Sequence, residues 1–358
     1  MPATGFEPSH VPAQPGPVER PLVSVVVVNW NGERYLAPCL ESLVRQTYPR
    51  LEIVVVDNGS TDGSLALLRR DWAARVRLVE HPANLGFAGG SNSGIRAAEG
   101  EYVALLNNDA VADPGWVGAL VSAAEADPAI GMCASRIYVQ DRPGVLDSAG
   151  LLISRDGVGR GRGRLEPDGA EFARDEDALV PSGCAALYRR AMLDRIGLFD
   201  EDFFAYCEDS DLGLRARLAG WRCRYAPSAI VHHRYSGSAG AYSTFKAFHV
   251  ERNRIWVVVK NFPPALIAAS VPWTLARYLV QAYGALRGRG AAGRLADGVP
   301  PWALAAVVVR AWAAALARMP EMWRRRRRVQ ALRRVPRRAL GRWLAGHRLG
   351  LRELGLKD

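Results

Sequence analysis

Val23-Ser24-Val25-Val26-Val27-Val28 is an almost unbroken β-branched run, bounded by Pro21 upstream and by Asn29-Trp30-Asn31-Gly32 downstream. A strand that is apolar on both faces is what a parallel sheet covered by helices requires; a half-exposed strand would alternate. The pattern then repeats along the chain. Tyr35, Leu36, Cys39, Leu40, Leu43 and Val44 recur at helical spacing, and Leu51-Glu52-Ile53-Val54-Val55-Val56 is a second buried strand, ending at Asp57-Asn58-Gly59-Ser60-Thr61-Asp62-Gly63. A helix through residues 65–72 leads to a third strand at Val76-Arg77-Leu78-Val79. A glycine-rich loop over residues 86–94 leads into a short helix, and Tyr102-Val103-Ala104-Leu105-Leu106 is a fourth strand that stops at Asn107-Asn108-Asp109. Strands alternating with helices predict an α/β protein with a doubly wound, mostly parallel sheet. Ligands bind such sheets at the carboxyl ends of the strands.

That rule gives the strand ends their meaning. Asp57 and Asp109 close two strands and fall on one rim, and the first strand delivers Asn29 and Asn31 to it. Turn propensity explains any one of these positions; two strand-terminal carboxylates with a third acidic cluster downstream point to a site. The cluster is Phe203-Phe204-Ala205-Tyr206-Cys207-Glu208-Asp209-Ser210-Asp211-Leu212, where an aromatic run meets three acids. An unpaired carboxylate is costly to bury, so one of them is a candidate base with a tuned pKa. The same acids suit a helix N-terminus, and the helix that follows ends at Gly220.

The 358 residues suffice for one large domain plus an appendage. The formal charge of +11 is concentrated: residues 318–348 hold twelve Arg and one Glu, and the remainder is neutral. A nucleic-acid role for the main body therefore has no electrostatic support. Cys39, Cys133, Cys184, Cys207 and Cys223 are scattered without metal-ligand spacing and read as reduced thiols of a cytosolic protein. Residues 1–20 are Pro-rich and read as a disordered leader rather than a signal peptide. Residues 145–181 read as a hairpin or lid, with the basic run Gly157-Val158-Gly159-Arg160-Gly161-Arg162-Gly163-Arg164 a surface loop or a flap over an anionic ligand. Arg189-Arg190 and Arg252-Asn253-Arg254 are either phosphate ligands or surface charges.

The character changes near Phe262. Residues 264–283 carry one charge, Arg277, and residues 300–317 one, Arg310. Each segment is marginal for the roughly 20 apolar residues that a membrane span needs. Trp273, Trp302, Trp312 and Trp323 suit a membrane interface, and the adjoining Arg cluster suits anionic lipid. Residues 261–318 are therefore expected to be membrane-associated helices and residues 319–358 a basic C-terminal tail.

Two carboxylates at strand ends and one in an apolar pocket fit sugar transfer from a nucleotide-sugar: one binds the nucleotide, one holds a cation on the diphosphate, and one takes a proton from the attacking hydroxyl. Five motifs in order carry a resemblance over about residues 21–260: the run from Val25 to Gly32, the run from Val54 to Gly63, Asn84-Leu85-Gly86-Phe87-Ala88-Gly89-Gly90-Ser91-Asn92, Leu105-Leu106-Asn107-Asn108-Asp109, and the run from Ile196 to Leu212. They resemble the inverting family 2 glycosyltransferases with a GT-A fold, in the bacterial branch of rhamnosyltransferases and cell-wall glycosyltransferases. The resemblance implies that Asp57 contacts the base or ribose, that Asn29 and Asn31 line the same pocket, and that Asn84, Gly86 and Asn92 shape the donor site. It implies that Asp109 holds Mg²⁺ or Mn²⁺, although Asn107-Asn108-Asp109 retains only the last acid of the usual motif. His232, in Ala229-Ile230-Val231-His232-His233, is expected to complete the metal site and His233 to stand by. Asp209 is the implied general base, with Glu208 and Asp211 positioning the acceptor or the base.

The implied donor is a nucleotide-sugar, with dTDP-rhamnose the first candidate. The acceptor is a glycan or a polyprenyl-linked sugar in envelope polysaccharide synthesis, reached from the cytoplasmic face of the inner membrane by a peripheral or monotopic protein. No specific nucleic acid is expected. The competing readings are a sugar nucleotidyltransferase, which would want a glycine-rich basic loop after the first strand, and a non-enzymatic nucleic-acid- or membrane-binding protein acting through the Arg cluster.

Overall fold

The computed structural model describes residues 20–234, 243–296 and 299–357, so the leader expected over residues 1–20 lies outside them except for Arg20. The strands are β1 (Val23–Asn29), β2 (Leu51–Asn58), β3 (Arg77–His81), β4 (Tyr102–Leu106), β5 (Ala110–Ala112), β6 (Ile130–Val139), β7 (Leu146–Ser148), β8 (Leu151–Ile153), β9 (Gly159–Gly161), β10 (Glu176–Ala178), β11 (Ala185–Arg189) and β12 (Arg222–His233). The α-helices are α1 (Glu33–Val44), α2 (Ser64–Leu67), α3 (Gly86–Ala97), α4 (Trp116–Glu125), α5 (Arg190–Ile196), α6 (Glu208–Leu218), α7 (Thr244–Asn261), α8 (Pro264–Leu286), α9 (Gly290–Ala296), α10 (Pro301–Ala317), α11 (Met319–Ala331), α12 (Ala339–Gly346) and α13 (Leu351–Leu356).

The large sheet runs β10-β12-β6-β11-β4-β1-β2-β3, with β5 beside β12 and β7 beside β6. Strands β3, β2, β1 and β4 are parallel. The antiparallel β11 joins this half to the parallel pair β6–β12. The expected doubly wound, mostly parallel α/β sheet is present. Its reason is visible in β1, where Val23, Val25 and Val27 pack on Leu36, Leu40 and Leu43 of α1. Val26 belongs to the opposite core with Val54, Val56 and Ile95. Alternate side chains point to opposite faces, and both faces are buried.

The glycine-rich stretch differs from expectation: it is not a loop but most of helix α3. A Cβ on Gly90 would sit 2.7 Å from Val28 Cγ1, and one on Gly94 would sit 2.2 Å from Val26 Cγ1. These glycines bring the helix onto the sheet rather than the backbone onto a phosphate.

The C-terminal helices also differ from a membrane appendage with a solvated tail. Arg277 of α8 is buried, with Nε donating to Asp156 at 2.7 Å and Nη2 to Glu251 of α7 at 3.0 Å. Helix α10 packs on α7 through buried Ala311 and Ala315, and Trp256 Nε1 donates to the Ala315 carbonyl at 3.2 Å. Within the expected tail, α11 buries Met322 and Val329, and Arg326 donates to the carbonyls of Val259 and Phe262 at 2.6 Å each. Part of the Arg cluster is thus structural. Among the described residues no single helix is long and apolar enough to cross a membrane, although residues 302–317 and 319–331, bent by 61°, meet the length and composition together.

Helices α6 and α7 are joined by a buried ion network. Asp211 is fully buried and accepts from Arg215 Nε at 2.9 Å, Lys260 Nζ at 2.8 Å and Asn261 Nδ2 at 2.9 Å. Lys260 also reaches Asp200 at 2.6 Å. Burial opposes ionisation of Asp200, but Lys260 and Arg325 hold its pKa down to about 2 from an ordinary 3.8. Lys260→Met leaves two buried carboxylates short of a partner and is expected to cost about 3–5 kcal/mol in denaturant unfolding at pH 7. Because the folded pKa of Asp200 is depressed, the wild-type advantage is present above its unfolded value and declines as the pH falls through about 2. An unchanged midpoint at pH 7 would show that the network does not hold the two helices.

Candidate active site

The carboxyl ends of β1, β2 and β4, the turn before α6, strands β7, β9 and β12, and helices α7, α8 and α10 enclose a cavity of about 880 Å³. At its polar end stand Asp109, Asp147, Asp209, Glu208 and His233.

The β1–β2 rim is braced by its own side chains. Asn29 and Asp57 are register partners. Asn29 Nδ2 donates to Asp57 Oδ1 at 3.4 Å and to Ser60 Oγ at 3.1 Å, and the Ser60 amide donates to Asp57 Oδ2 at 3.1 Å. Asn108 Nδ2 donates to Asn29 Oδ1 at 2.8 Å, and Asn31 Oδ1 accepts from the Thr61 amide at 2.7 Å. Asn29 and Asp57 are buried in this rim and Asn31 is exposed on it, and none of the three lines the cavity; Val28, Trp30, Asn58 and Asn84 do. Asn84 and Gly86 do reach the cavity. Asn58 Nδ2 donates to Asn84 Oδ1 and the Gly86 carbonyl, both at 3.0 Å. Gly86 has φ +74°, and a Cβ there would meet the Phe204 carbonyl at 2.3 Å, so this position needs glycine. Asn92 is a correction: its amide engages the Phe199 backbone in both directions at 2.9 Å and Glu201 at 2.8 Å, so it anchors the acidic segment and does not shape the donor pocket.

The acidic segment is held in an unusual backbone. Phe204, Tyr206 and Cys207 all have positive φ, at 63°, 69° and 67°. The Ala205 amide donates to the Phe203 carbonyl at 2.7 Å across a γ-turn at Phe204. Such residues cost on the order of 1–3 kcal/mol each and persist where their surroundings hold them. The holder is Asn253 of α7. Its Nδ2 donates to the carbonyls of Phe203, Ala205 and Tyr206 at 2.7–2.9 Å. Arg252 adds bonds to Asp202 and Phe203. Arg190 instead caps backbone carbonyls at Ala98 and Gly100, and Arg189 those at Ala124 and Ile130, so neither is a phosphate ligand nor a loose surface charge.

This turn aims Glu208 and Asp209 into the cavity. Asp209 Oδ2 accepts from the Gly183 amide at 3.1 Å and Oδ1 from the Ser210 amide at 2.6 Å. Burial raises its pKa against these amides, which favour the ionised form. Glu208 is 5% exposed, and its Oε2 has no hydrogen-bond partner among the described residues. Burial lifts it well above its ordinary 4.5, and the charge of Asp209 lifts it further. Asp211 does not line the cavity: it points into the ion network and holds α6, which excludes the acceptor-positioning role and leaves the base-positioning one.

His232 is a second correction. Successive strand residues face opposite sides, and His232 faces away, 3.4 Å from the exposed Asp113 and stacked on Tyr138. His233 lines the cavity, with Nε2 3.2 Å from Asp109 Oδ1 and Nδ1 2.7 Å from Asp147 Oδ2. Burial disfavours its charged ring, but the Cys184 sulfur and the two carboxylates more than reverse this and hold its pKa well above the ordinary value, so a cation bound there would have to displace a ring proton. Asp147 orients the ring by its far nitrogen, the usual means of aiming a metal-binding imidazole. Asp147 and Asn253 carry no motif; only three-dimensional packing brings them here. Among the described residues no three His, Cys, Asp or Glu side chains form a self-contained metal cage. One carboxylate with one imidazole could hold a hard cation only with further oxygens supplied from outside the protein.

This sheet, with an acid just past the end of β4 and a second acidic turn lining the same cleft, is the GT-A architecture of glycosyltransferases. The glycosyl transferase family 2 model matches residues 24–197. A Mycobacterium tuberculosis N-acetylglucosaminyl-diphospho-decaprenol L-rhamnosyltransferase is 33% identical over 242 residues, 61% of this chain and 78% of that protein. An uncharacterized glycosyltransferase of Haemophilus influenzae is 34% identical over 132 residues, 36% of this chain and 41% of that protein. The chain thus spans less than half of the latter relative, and only 25% of a Sinorhizobium fredii protein, y4gI, which is 28% identical. Among solved structures, the Pyrobaculum calidifontis mannosyltransferase in complex with GDP-Man and Mn²⁺ superposes with a TM-score of 0.52 at 23% identity, over 89% of this chain and 88% of that one. The chain belongs to glycosyltransferase family 2.

Glu208→Gln tests the electrostatics of the acidic pair. Because the folded pKa of Glu208 is raised, its contribution to stability is present below 4.5 and lost as the pH rises. The neutral isostere is therefore expected to unfold at higher denaturant than wild type at pH 7–8, with the difference closing as the pH falls below about 4.5. Equal stability of both proteins at pH 8 would show that Glu208 is not held in its neutral form.

Proposed function

We propose that the protein is an inverting glycosyltransferase that moves a sugar from a nucleotide-sugar to a hydroxyl of a glycan or lipid-linked acceptor in cell-envelope polysaccharide synthesis. The observation that carries this is the shared cavity that the Asp109–His233 pair and Asp209 all line. Rhamnose carried by dTDP is the first candidate donor, supported by the name of the Mycobacterium tuberculosis relative.

In the mechanism we infer, the diphosphate lies at the ends of β1 and β4 and the reacting sugar lies toward α6. Asp109 and His233 would hold Mg²⁺ or Mn²⁺, which when bound neutralises charge on the departing diphosphate. Asp209 takes the proton from the acceptor hydroxyl. Its raised pKa makes it a stronger base than an exposed carboxylate. The acceptor oxygen then bonds to the anomeric carbon as the bond to the diphosphate oxygen breaks, in one displacement. Glu208, whose Oε2 has no hydrogen-bond partner among the described residues, offers that oxygen to a hydroxyl of the acceptor.

Asp209→Asn is expected to lower turnover by at least about 10²-fold, the scale of general-base catalysis, while nucleotide affinity stays within about twofold. Calorimetric titration with UDP, dTDP and GDP, in Mg²⁺ and then in EDTA, identifies the base. His233→Asn is expected to abolish the metal-dependent part of that binding, and His232→Asn to preserve it. Transfer retained by Asp209→Asn, or metal-dependent binding lost only in His232→Asn, would sink the assignment.

We also infer that the protein works as a peripheral or monotopic protein on the anionic cytoplasmic face of the inner membrane. Supporting this, α8 exposes Leu275, Leu279 and Leu286, α10 exposes Trp302 and Val309, and Arg324 and Arg328 on α11 lie open to solvent. Removing the Arg segment would expose the core of α7, so the clean variant is Leu279→Ser combined with Trp302→Ser. It is expected to sediment less with anionic vesicles and to keep its unfolding midpoint; unchanged sedimentation removes these helices from any membrane role.

A further inference from the structure

The cavity does not end at the catalytic groups. Beyond Glu251 and Tyr278 its wall is apolar: Ala285 from α8, Leu295 from α9, Leu304 and Val308 from α10, and Leu354 from α13. Small side chains leave the space open. Ala282 and Ala305, which also line it, are exposed, so the chamber opens at the face of α8 and α10 that carries Leu279, Leu286 and Trp302. A nucleotide-sugar is polar throughout and would lose hydrogen bonds to water against such a wall without replacement. The occupant that fits is a hydrocarbon chain. Arg160, Arg164 and Lys246 line the same cavity, the chemistry that receives phosphate oxygens. The volume of about 880 Å³ lies toward the upper end of ordinary ligand sites of about 300–1,000 Å³, with room for more than a donor alone.

We propose that this apolar chamber seats the first part of the hydrocarbon chain of a lipid-linked acceptor, which enters past α8 and α10 and presents its phosphate-linked head to the basic side chains and its sugar hydroxyl to Asp209. The assignment rests on the transferase reading above and names the acceptor class. The exposed apolar stripe and the chamber share two helices, so a chain drawn from a bilayer passes from one apolar surface to the next without crossing water. The ion network of Asp156, Glu251, Arg254 and Arg277 underlies this arrangement, fixing α8 to α7 and to the turn between β8 and β9.

The test is calorimetric titration with monoalkyl phosphates of four, eight and twelve carbons, each below its micelle concentration. Wild type is expected to gain about fourfold in affinity for each methylene buried. Ala285→Trp, which fills the chamber, and Leu304→Ser, which makes its wall polar, are each expected to flatten that rise and to bind the twelve-carbon probe at least tenfold more weakly. The surface pair Leu279→Ser and Trp302→Ser should keep the wild-type slope, which separates the chamber from adsorption to the exposed stripe. UDP, dTDP and GDP with Mg²⁺ are titrated on the same samples, and retained nucleotide binding shows that each variant is folded. An affinity independent of chain length in wild type, or an unaltered slope in both chamber variants, overturns the proposal while bound nucleotide leaves the transferase reading standing. A steep slope with no nucleotide bound overturns the acceptor assignment through the transferase reading instead.

Discussion

Asp211 is where the two halves of the molecule meet. A carboxylate with no exposure is tenable only because Arg215, Lys260 and Asn261 all donate to it. Those donors come from its own helix and from α7, so the charge clamps the pair together. The same Arg215 satisfies the carbonyls of Ile196 and Leu198 at the end of α5, and the same Lys260 holds Asp200. Helix α6 is thereby tied to the sheet side and to the C-terminal side at once. The segment leading into its first turn can then take left-handed backbone at Phe204, Tyr206 and Cys207, because Asn253 on the clamped α7 satisfies the carbonyls of Phe203, Ala205 and Tyr206. The strained backbone just before the acids and the buried charge just after them are parts of one construction: the second holds the geometry that the first needs.

The parallel half of the fold was legible because its determinants are local. β-branched runs with both faces apolar allow one kind of strand, and acids at the ends of β2 and β4 follow from the direction of the chain. The acidic turn was legible for the opposite reason, since Glu208 and Asp209 break the local rule that aromatic runs do not end in carboxylates. Asp147 and Asn253 could not be read. Each works through a partner some 50 or more residues away in sequence, His233 in one case and the 203–206 carbonyls in the other, and neither sits in a pattern that marks it.

The misreadings share one physical origin, the orientation of a side chain about a correctly placed backbone. His232 and His233 differ by one residue in a strand, and the two-residue period sends them to opposite faces. Pairing with β5 places His233 opposite Ala110, next to Asp109, while His232 stacks on Tyr138 outside. Asn92 lies on the right helix but faces Phe199. Asp57 and Asn29 close the right strands, yet bond to each other across the rim rather than to the cavity. Motif position specifies which segment reaches a site; which of its side chains enters depends on register and on competing partners.

The C-terminal helices show what composition alone leaves open. An apolar segment with one Arg reads as a marginal membrane helix, because a lone charge in lipid is costly. Here Arg277 is neutralised inside the protein by Asp156 and Glu251, and the helix that carries it becomes a wall of the cavity. Its apolar residues then divide by face: Leu275, Leu279 and Leu286 look outward, while Ala285 looks in. A helix used on both sides has to be apolar nearly all round, so its composition cannot distinguish lipid contact from substrate contact. The buried Arg resolves the ambiguity. A helix lying only on a bilayer has no use for an internal ion pair, whereas a helix that must hold one distance from α7, and so keep a cleft open beside Glu251 and Asp209, does.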